Sequence, residues 1–148
     1  MLQPEINFIN EKIKFELKGK SRIKKWITGV IVKEKHEPGT ICYVFCSDKY
    51  LVEINKKYLK HNYYTDIITF DYTESKAGKG NKRVISGDIF ISIDRVKENA
   101  LDLGTQFDNE LRRVIIHGVL HLMGYSDKTK KGQNEMRQKE DIYIKHFH

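Results

Sequence analysis

Two histidines stand four residues apart in the run Ile115-Ile116-His117-Gly118-Val119-Leu120-His121-Leu122-Met123-Gly124-Tyr125-Ser126-Asp127, whose first half has the apolar spacing of a helix. On a helix such a pair is separated by ~40° around the axis and about one turn along it, so both imidazoles can reach one ion. Gly124 supplies a left-handed stop, after which a short turn can swing Asp127 back over the helix end. His117, His121 and Asp127 are therefore the candidate metal ligands. The plainer alternative is a helix whose histidines line a polar cleft. It explains the pair but not the glycine stop and the carboxylate that follow at once.

The residue after the first histidine narrows the chemistry. Zinc peptidases of the H-E-x-x-H type place a glutamate there as general base, and this chain has Gly118. The ion itself must then generate the nucleophile by lowering the pKa of bound water. Phosphodiester hydrolysis suits such a site, because the same ion can polarise a phosphoryl oxygen. Gly118 also has a structural explanation: with no side chain there, the helix can pack closely on a strand.

The rest of the composition sets bounds. Lys and Arg number 27 against 20 Asp and Glu, a net charge of +7 in 148 residues. A single domain spanning residues 1–148 with a real core is expected at this length. The positive excess suits a polyanionic partner, although solubility alone would also explain it. No apolar run reaches the ~20 residues needed to span a bilayer, and Met1-Leu2-Gln3-Pro4-Glu5 lacks the features of a signal peptide, so a cytoplasmic location without membrane contact is expected. Cys42 and Cys46 fall in an apolar segment and are expected as buried, reduced thiols on one face of a strand. A Cys2His2 site joining them to His117 and His121 is disfavoured, since a straight strand holds the two sulfurs too far apart.

The elements that must position the ligands can be read from periodicity. Residues 6–9 and 13–17 look like short strands around a polar turn, and 21–35 has helical spacing through Ile23, Trp26, Ile27, Val30 and Ile31. Pro38-Gly39 breaks that pattern; 41–46 reads as a buried strand, and Ser47-Asp48 as the N-cap of a helix using Tyr50, Leu51, Ile54, Tyr58 and Leu59. A basic loop over 60–65 leads to a strand over 66–72, then a glycine- and lysine-rich hairpin connection over 75–83 and a strand over 84–93. Residues 94–103 form a helix stopped by Gly104, and Thr105 is placed to cap the metal-bearing helix, with Phe107, Leu111, Val114, Ile115, Gly118 and Leu122 on its packed face. A last helix over 133–145 turns Met136, Ile142 and Tyr143 inward. The fold class is α+β (mixed α/β), a small mixed sheet packed against helices with a zincin-like metal helix near the C-terminus.

The run His117-Gly118-Val119-Leu120-His121-Leu122-Met123-Gly124-Tyr125 resembles the H-G-x-L-H-L-x-G-Y signature of the YbeY family, single-strand-specific metal-dependent endoribonucleases of ribosomal RNA maturation. Thr65-Asp66-Ile67-Ile68-Thr69-Phe70 is similar to its T-D-V-L-S-F block and Gly87-Asp88-Ile89 to its G-D-I strand, all in family order between about Asn55 and Asp127. The resemblance implies hydrolytic cleavage of single-stranded RNA, a role in small-subunit rRNA 3′-end maturation and ribosome quality control, and ribosomal or small-subunit protein partners, with no DNA substrate. Two departures stand out. The family signature continues D-H and takes a third histidine as ligand, where this chain has Ser126-Asp127. The resulting His2Asp set still suits zinc, and its carboxylate widens the choice of divalent ion to manganese, nickel or iron. In the family motif N-x-x-Y-R the arginine position holds Leu59, so either Lys60, His61 or Arg113 supplies the cation that offsets transition-state charge or the chain is a weak catalyst. Arg113 is attractive because it lies one helical turn before His117, although it could equally pair with Glu110 or solvent.

Lys57, Lys60, Lys76, Lys79, Lys82, Arg83, Lys128, Lys130 and Lys131, interleaved with Tyr63, Tyr64, Tyr72 and Tyr125, are the candidate RNA contacts. The readings that compete with an endoribonuclease are a non-catalytic ribosome-assembly factor stabilised by its metal and, less favoured because of Gly118, a metal-dependent peptidase or other hydrolase.

Overall fold

Parallel strands cannot be joined by a tight turn, so the chain between them must travel back along the sheet, here once as a helix and once as a further, antiparallel strand. The computed structural model describes residues 4–59, 65–73 and 82–147. Strand β1 (Glu5–Glu11) is joined through helix α1 (Lys20–Lys33) to the parallel strand β2 (Glu37–Cys46). From β2 the chain passes through α2 (Asp48–Ile54), a single π-turn over Asn55–Leu59, and strand β3 (Ile67–Asp71) to β4 (Val84–Ser92). Strand β4 pairs parallel with β2 and antiparallel with β3, giving a mixed sheet in the order β1-β2-β4-β3. Helices α3 (Ile93–Leu103), α4 (Phe107–Leu122) and α5 (Lys130–Lys145) follow. The expected α+β architecture is thus observed.

The main core lies between one face of the sheet and α1, α4 and α5. Ile85, Ile89 and Ile91 of β4, Ile41, Tyr43 and Phe45 of β2, and Ile115, Ile116 and Val119 of α4 are all buried within it. Two polar anchors fix the layers: the Tyr43 hydroxyl donates to the Ile115 carbonyl at 2.9 Å, and Trp26 Nε1 to the Tyr143 carbonyl at 2.8 Å. On the opposite face α2 covers a smaller cluster of Cys46, Leu51 and Ile68. Ser47 caps α2 as expected, its hydroxyl accepting from Tyr50 N at 3.1 Å. Helix α4 approaches the sheet closely because of Gly118. A Cβ at that position would lie 2.8 Å from Ile89 Cγ2 and 3.0 Å from Ile67 Cδ1.

Several local expectations are corrected. Residues 13–17 form no strand: Lys12, at φ 59°, turns the chain away from β1, and Phe15 and Leu17 enter the core directly, Phe15 edge-on to Phe45 and Phe107. Pro38 and Gly39 belong to β2 instead of ending before it; the proline is accommodated at the strand start, where the register shifts between Pro38 and Ile41. The N-cap of α4 is Gln106, not Thr105, whose backbone N–H instead closes α3 on the Ala100 carbonyl. Helix α5 begins earlier than expected, capped by Thr129, and Ile142 is 45% exposed; the inward positions are Met136, Glu140 and Tyr143. Cys46 is buried but Cys42 is half-buried, and both are free thiols.

Candidate metal centre

Helix α4 ends in a geometry that brings Asp127, the third candidate donor, back to the two histidines. Gly124, at φ 103°, takes the left-handed conformation beyond the C-cap, and Gly124 N and Tyr125 N donate back to the carbonyls of His121 (3.0 Å) and Leu120 (3.1 Å). This doubly bonded stop reverses the chain within one turn of His121. The Arg83 guanidinium donates to the Met123 carbonyl, one of those a helix end leaves without an intrahelical partner. Beyond the turn, Gln133 Nε2 donates to the Asp127 carbonyl at 3.1 Å, and Thr129 Oγ1 accepts from Gly132 N at 3.0 Å, so the start of α5 clamps the segment carrying Asp127.

The outcome is a convergence of three donor atoms. His117 Nε2 and His121 Nε2 lie 3.0 Å apart, and Asp127 Oδ2 is 3.4 Å from the first and 3.6 Å from the second. Nitrogen and oxygen ligands held ~2.1 Å from a tetrahedral centre are separated by about 3.4 Å, so this triangle has the size a divalent ion requires. Three Lewis-basic atoms at such distances repel unless a cation or protons lie among them. Among the described residues this is the cluster of histidine, cysteine and carboxylate side chains able to hold a metal, and neither cysteine joins it. The Cys2His2 alternative is therefore not built.

Behind the ligands stands a second layer that the sequence did not reveal. Glu140 Oε2 lies 2.6 Å from His117 Nδ1, and its Oε1 accepts from Arg113 Nη1 at 2.8 Å; Arg113 Nη2 reaches Asp141 at 2.8 Å. Arg113 accordingly lies beside the site as anticipated, but two of its guanidinium nitrogens are committed to these carboxylates, not to Glu110. Burial works against the charged form of His117, yet the Glu140 hydrogen bond and charge, with Asp127 and Asp66 adding to them, hold its pKa above the usual imidazole range. His121 is pushed the other way, by burial and then by the neighbouring charge of His117. Burial also raises the Asp66 carboxyl, which stands at the entrance to β3 in the Thr65-Asp66-Ile67 block. A cleft of about 420 Å3 opens beside the ligands, with Asp66, Arg113, His117, Asp127, Asn134 and Arg137 among its walls.

The other expected contacts divide. Lys60 and His61 lie outside the described residues, as do Tyr63, Tyr64, Lys76 and Lys79. Arg83 and Tyr125 serve the fold: the first holds the α4 terminus, and the second donates its hydroxyl to Glu34 Oε1 at 2.5 Å. Tyr72 donates to Asp88 at 3.1 Å and is 59% exposed. Lys57 lies over the ring of Tyr58, and both Tyr58 and Leu59 are exposed on the π-turn.

The chain is similar over nearly its whole length to known proteins. The profile of the family described as endoribonuclease YbeY matches residues 5–148. The endoribonuclease YbeY of Cytophaga hutchinsonii is 48% identical over 144 residues, covering 97% of this chain and 96% of that protein. Its namesake in Flavobacterium johnsoniae is 47% identical over 143 residues, covering 97% of each. The solution structure of the TM1509 protein of Thermotoga maritima superposes with a TM-score of 0.65 at 25% identity, covering 97% of this chain and 89% of that one. With the family profile matching residues 5–148 and relatives at nearly half identity over almost the whole chain, the chain belongs to the YbeY endoribonuclease family.

Proposed function

We propose that this protein is a metal-dependent endoribonuclease that cleaves single-stranded RNA in the maturation of ribosomal RNA, its site formed by His117, His121 and Asp127. The observation that carries the reading is the triangle of donor atoms with sides of 3.0, 3.4 and 3.6 Å. A divalent ion held by these three residues, zinc or one of the ions the carboxylate also suits, would supply Lewis acidity, making solvent a stronger nucleophile and drawing charge from a phosphoryl oxygen. The chain's own residues bind and orient. Asp127, at the rim, is the most exposed ligand and faces solvent, so substrate approaches from its side. Lys128, Lys130 and Lys131 follow it directly and meet backbone phosphates without reading base sequence. Lys60 and His61, next to Leu59, are assigned the cationic role that the family arginine fills. The relatives named endoribonuclease YbeY support the RNA substrate, and ribosomal partners follow from the rRNA role. Gly118, standing where a zinc peptidase carries its general base, disfavours a peptidase. No helix among the described residues is long and apolar enough to cross a membrane; the cytoplasm, where ribosomal RNA matures, is the proposed place of action.

The test is cleavage of an unstructured oligoribonucleotide by the purified, zinc-loaded protein. Cleavage is expected, with at least a hundredfold loss in His121→Ala while its circular dichroism stays native. A protein that binds zinc and RNA but leaves RNA intact would establish the assembly-factor reading instead.

A further inference from the structure

The Asp141-Arg113-Glu140-His117 chain joins α5 to the ligand helix through consecutive contacts of 2.8, 2.8 and 2.6 Å. Glu140 is only 6% exposed, and a carboxylate so enclosed is tolerable only when each oxygen is engaged. Both are: Oε1 by Arg113 and Oε2 by the His117 ring. The 2.6 Å separation marks a charge-assisted hydrogen bond, in which Nδ1 of His117 donates. That bond has a directional consequence. A neutral imidazole carries one proton, and a proton held on Nδ1 leaves the lone pair on Nε2, the atom facing His121 and Asp127. Glu140 also comes from a different helix than the ring it holds, so the rotamer of His117 depends on α5 being docked.

We infer that Glu140 is a positioning residue of the metal centre, fixing the tautomer and orientation of His117, and that Arg113 acts in the reaction by holding Glu140 and not by contacting RNA. The inference rests on His117 being a ligand, as proposed above. Outer carboxylates of this kind tighten metal binding by raising the basicity of the ligating ring.

The substitution that tests it is Glu140→Gln, which keeps the shape but offers one oxygen and one amide NH2. If the oxygen faces His117, the NH2 opposes Arg113, and the reverse arrangement denies Nδ1 its acceptor. Zinc affinity, measured by competition with a chromogenic chelator, is expected to fall ~10- to 100-fold. Glu110→Gln, a buried acid of the first turn of α4, controls for general loosening and is expected to stay within about threefold of wild type. Nitrogen-15 NMR of the zinc-loaded wild type adds a measurement independent of any variant: the Nδ1 proton of His117 is expected far downfield, and absence of a proton on Nδ1 overturns the inference. A natively folded Glu140→Gln protein with wild-type zinc affinity overturns it equally. Should His121→Ala and Asp127→Ala also retain the metal, the ligand assignment itself fails; should they alone lose it, only the role of Glu140 does.

Discussion

Glu34 ends α1 and gathers three donors from the rest of the chain: the hydroxyls of Tyr125 and Tyr143 and Nζ of Lys139 at 3.0 Å. Tyr125 belongs to the turn between His121 and Asp127, and Tyr143 and Lys139 to α5, so one carboxylate ties α1 to both supports of the metal centre. The Glu34 side chain is 10% exposed, and burial raises its pKa, but the bonds from Tyr125, Tyr143 and Lys139 outweigh that and hold it below the usual glutamate value. Glu34→Ala removes all three. Tyr143 is 2% exposed, so its orphaned hydroxyl has no route to water and costs about 1–3 kcal/mol. Tyr125 is half-buried and can turn outward, for roughly 0.5–1 kcal/mol, and the ion pair with the more open Lys139 adds about 0–1 kcal/mol. The expected total is about 1.5–5 kcal/mol, which for a chain of this length lowers Tm by roughly 5–15 °C. Thermal unfolding followed by circular dichroism on the metal-free protein measures it. In a Tyr143→Phe background the same substitution should cost about 1–3 kcal/mol less, because the deepest orphan is already gone. A folded-state pKa below the unfolded one means the contribution is complete above the unfolded glutamate value near 4.5 and disappears as pH falls through the depressed one. The gap between wild type and Glu34→Ala should therefore be flat at neutral pH and narrow only in acid, where the protonated carboxyl still accepts from the tyrosines. A Tm within 2 °C of wild type, or an unchanged cost in the Tyr143→Phe background, would refute the account.

Asp127→Ala should lower zinc affinity by at least tenfold, read by metal analysis after dialysis, while Asp127→His restores the three-histidine set of the family signature and should retain the ion. Gly118→Ala gains up to ~1 kcal/mol of helix propensity but forces its methyl against Ile89 and Ile67; a net destabilisation of about 1–2 kcal/mol in urea unfolding is expected, and a stabilised variant would show that α4 is free to lift from the sheet. Because His117 titrates above the usual imidazole range in the metal-free protein, protons should begin to compete with zinc at a higher pH than for an ordinary histidine, and affinity measured across pH should fall about tenfold per unit below that point. Leu59→Arg, which returns the family arginine to an exposed position on the π-turn, should raise RNA cleavage by about tenfold or more, and no gain would mean that Lys60 and His61 already fill the role.

The three grouped donor side chains were legible because metal chemistry writes itself into short spacings. His117 and His121 share a helical face by arithmetic alone, and Gly124 announces the turn that brings Asp127 back. What supports them was not legible, for a physical reason: the supporting contacts span 23 to 109 residues of chain, as in His117 to Glu140 and Glu34 to Tyr143. Sequence periodicity also misplaces them actively. In α5 an apolar search selects Ile142, yet the inward phase that includes Met136 and Tyr143 passes through position 140, where the residue is a glutamate. A charged residue at an inward helical position is the one local sign available, and it reads as noise until the partner histidine is known. The same inversion applies to Tyr125 and Arg83, whose types suggest RNA contacts while the Tyr125 hydroxyl donates to Glu34 and one Arg83 nitrogen to the Met123 carbonyl. Type and spacing thus identify the atoms that meet an ion, whereas the groups that orient those atoms are chosen by tertiary geometry. A carboxylate 6% exposed on the wrong face of an otherwise polar helix is therefore a better pointer to a functional centre than any single basic residue on the surface.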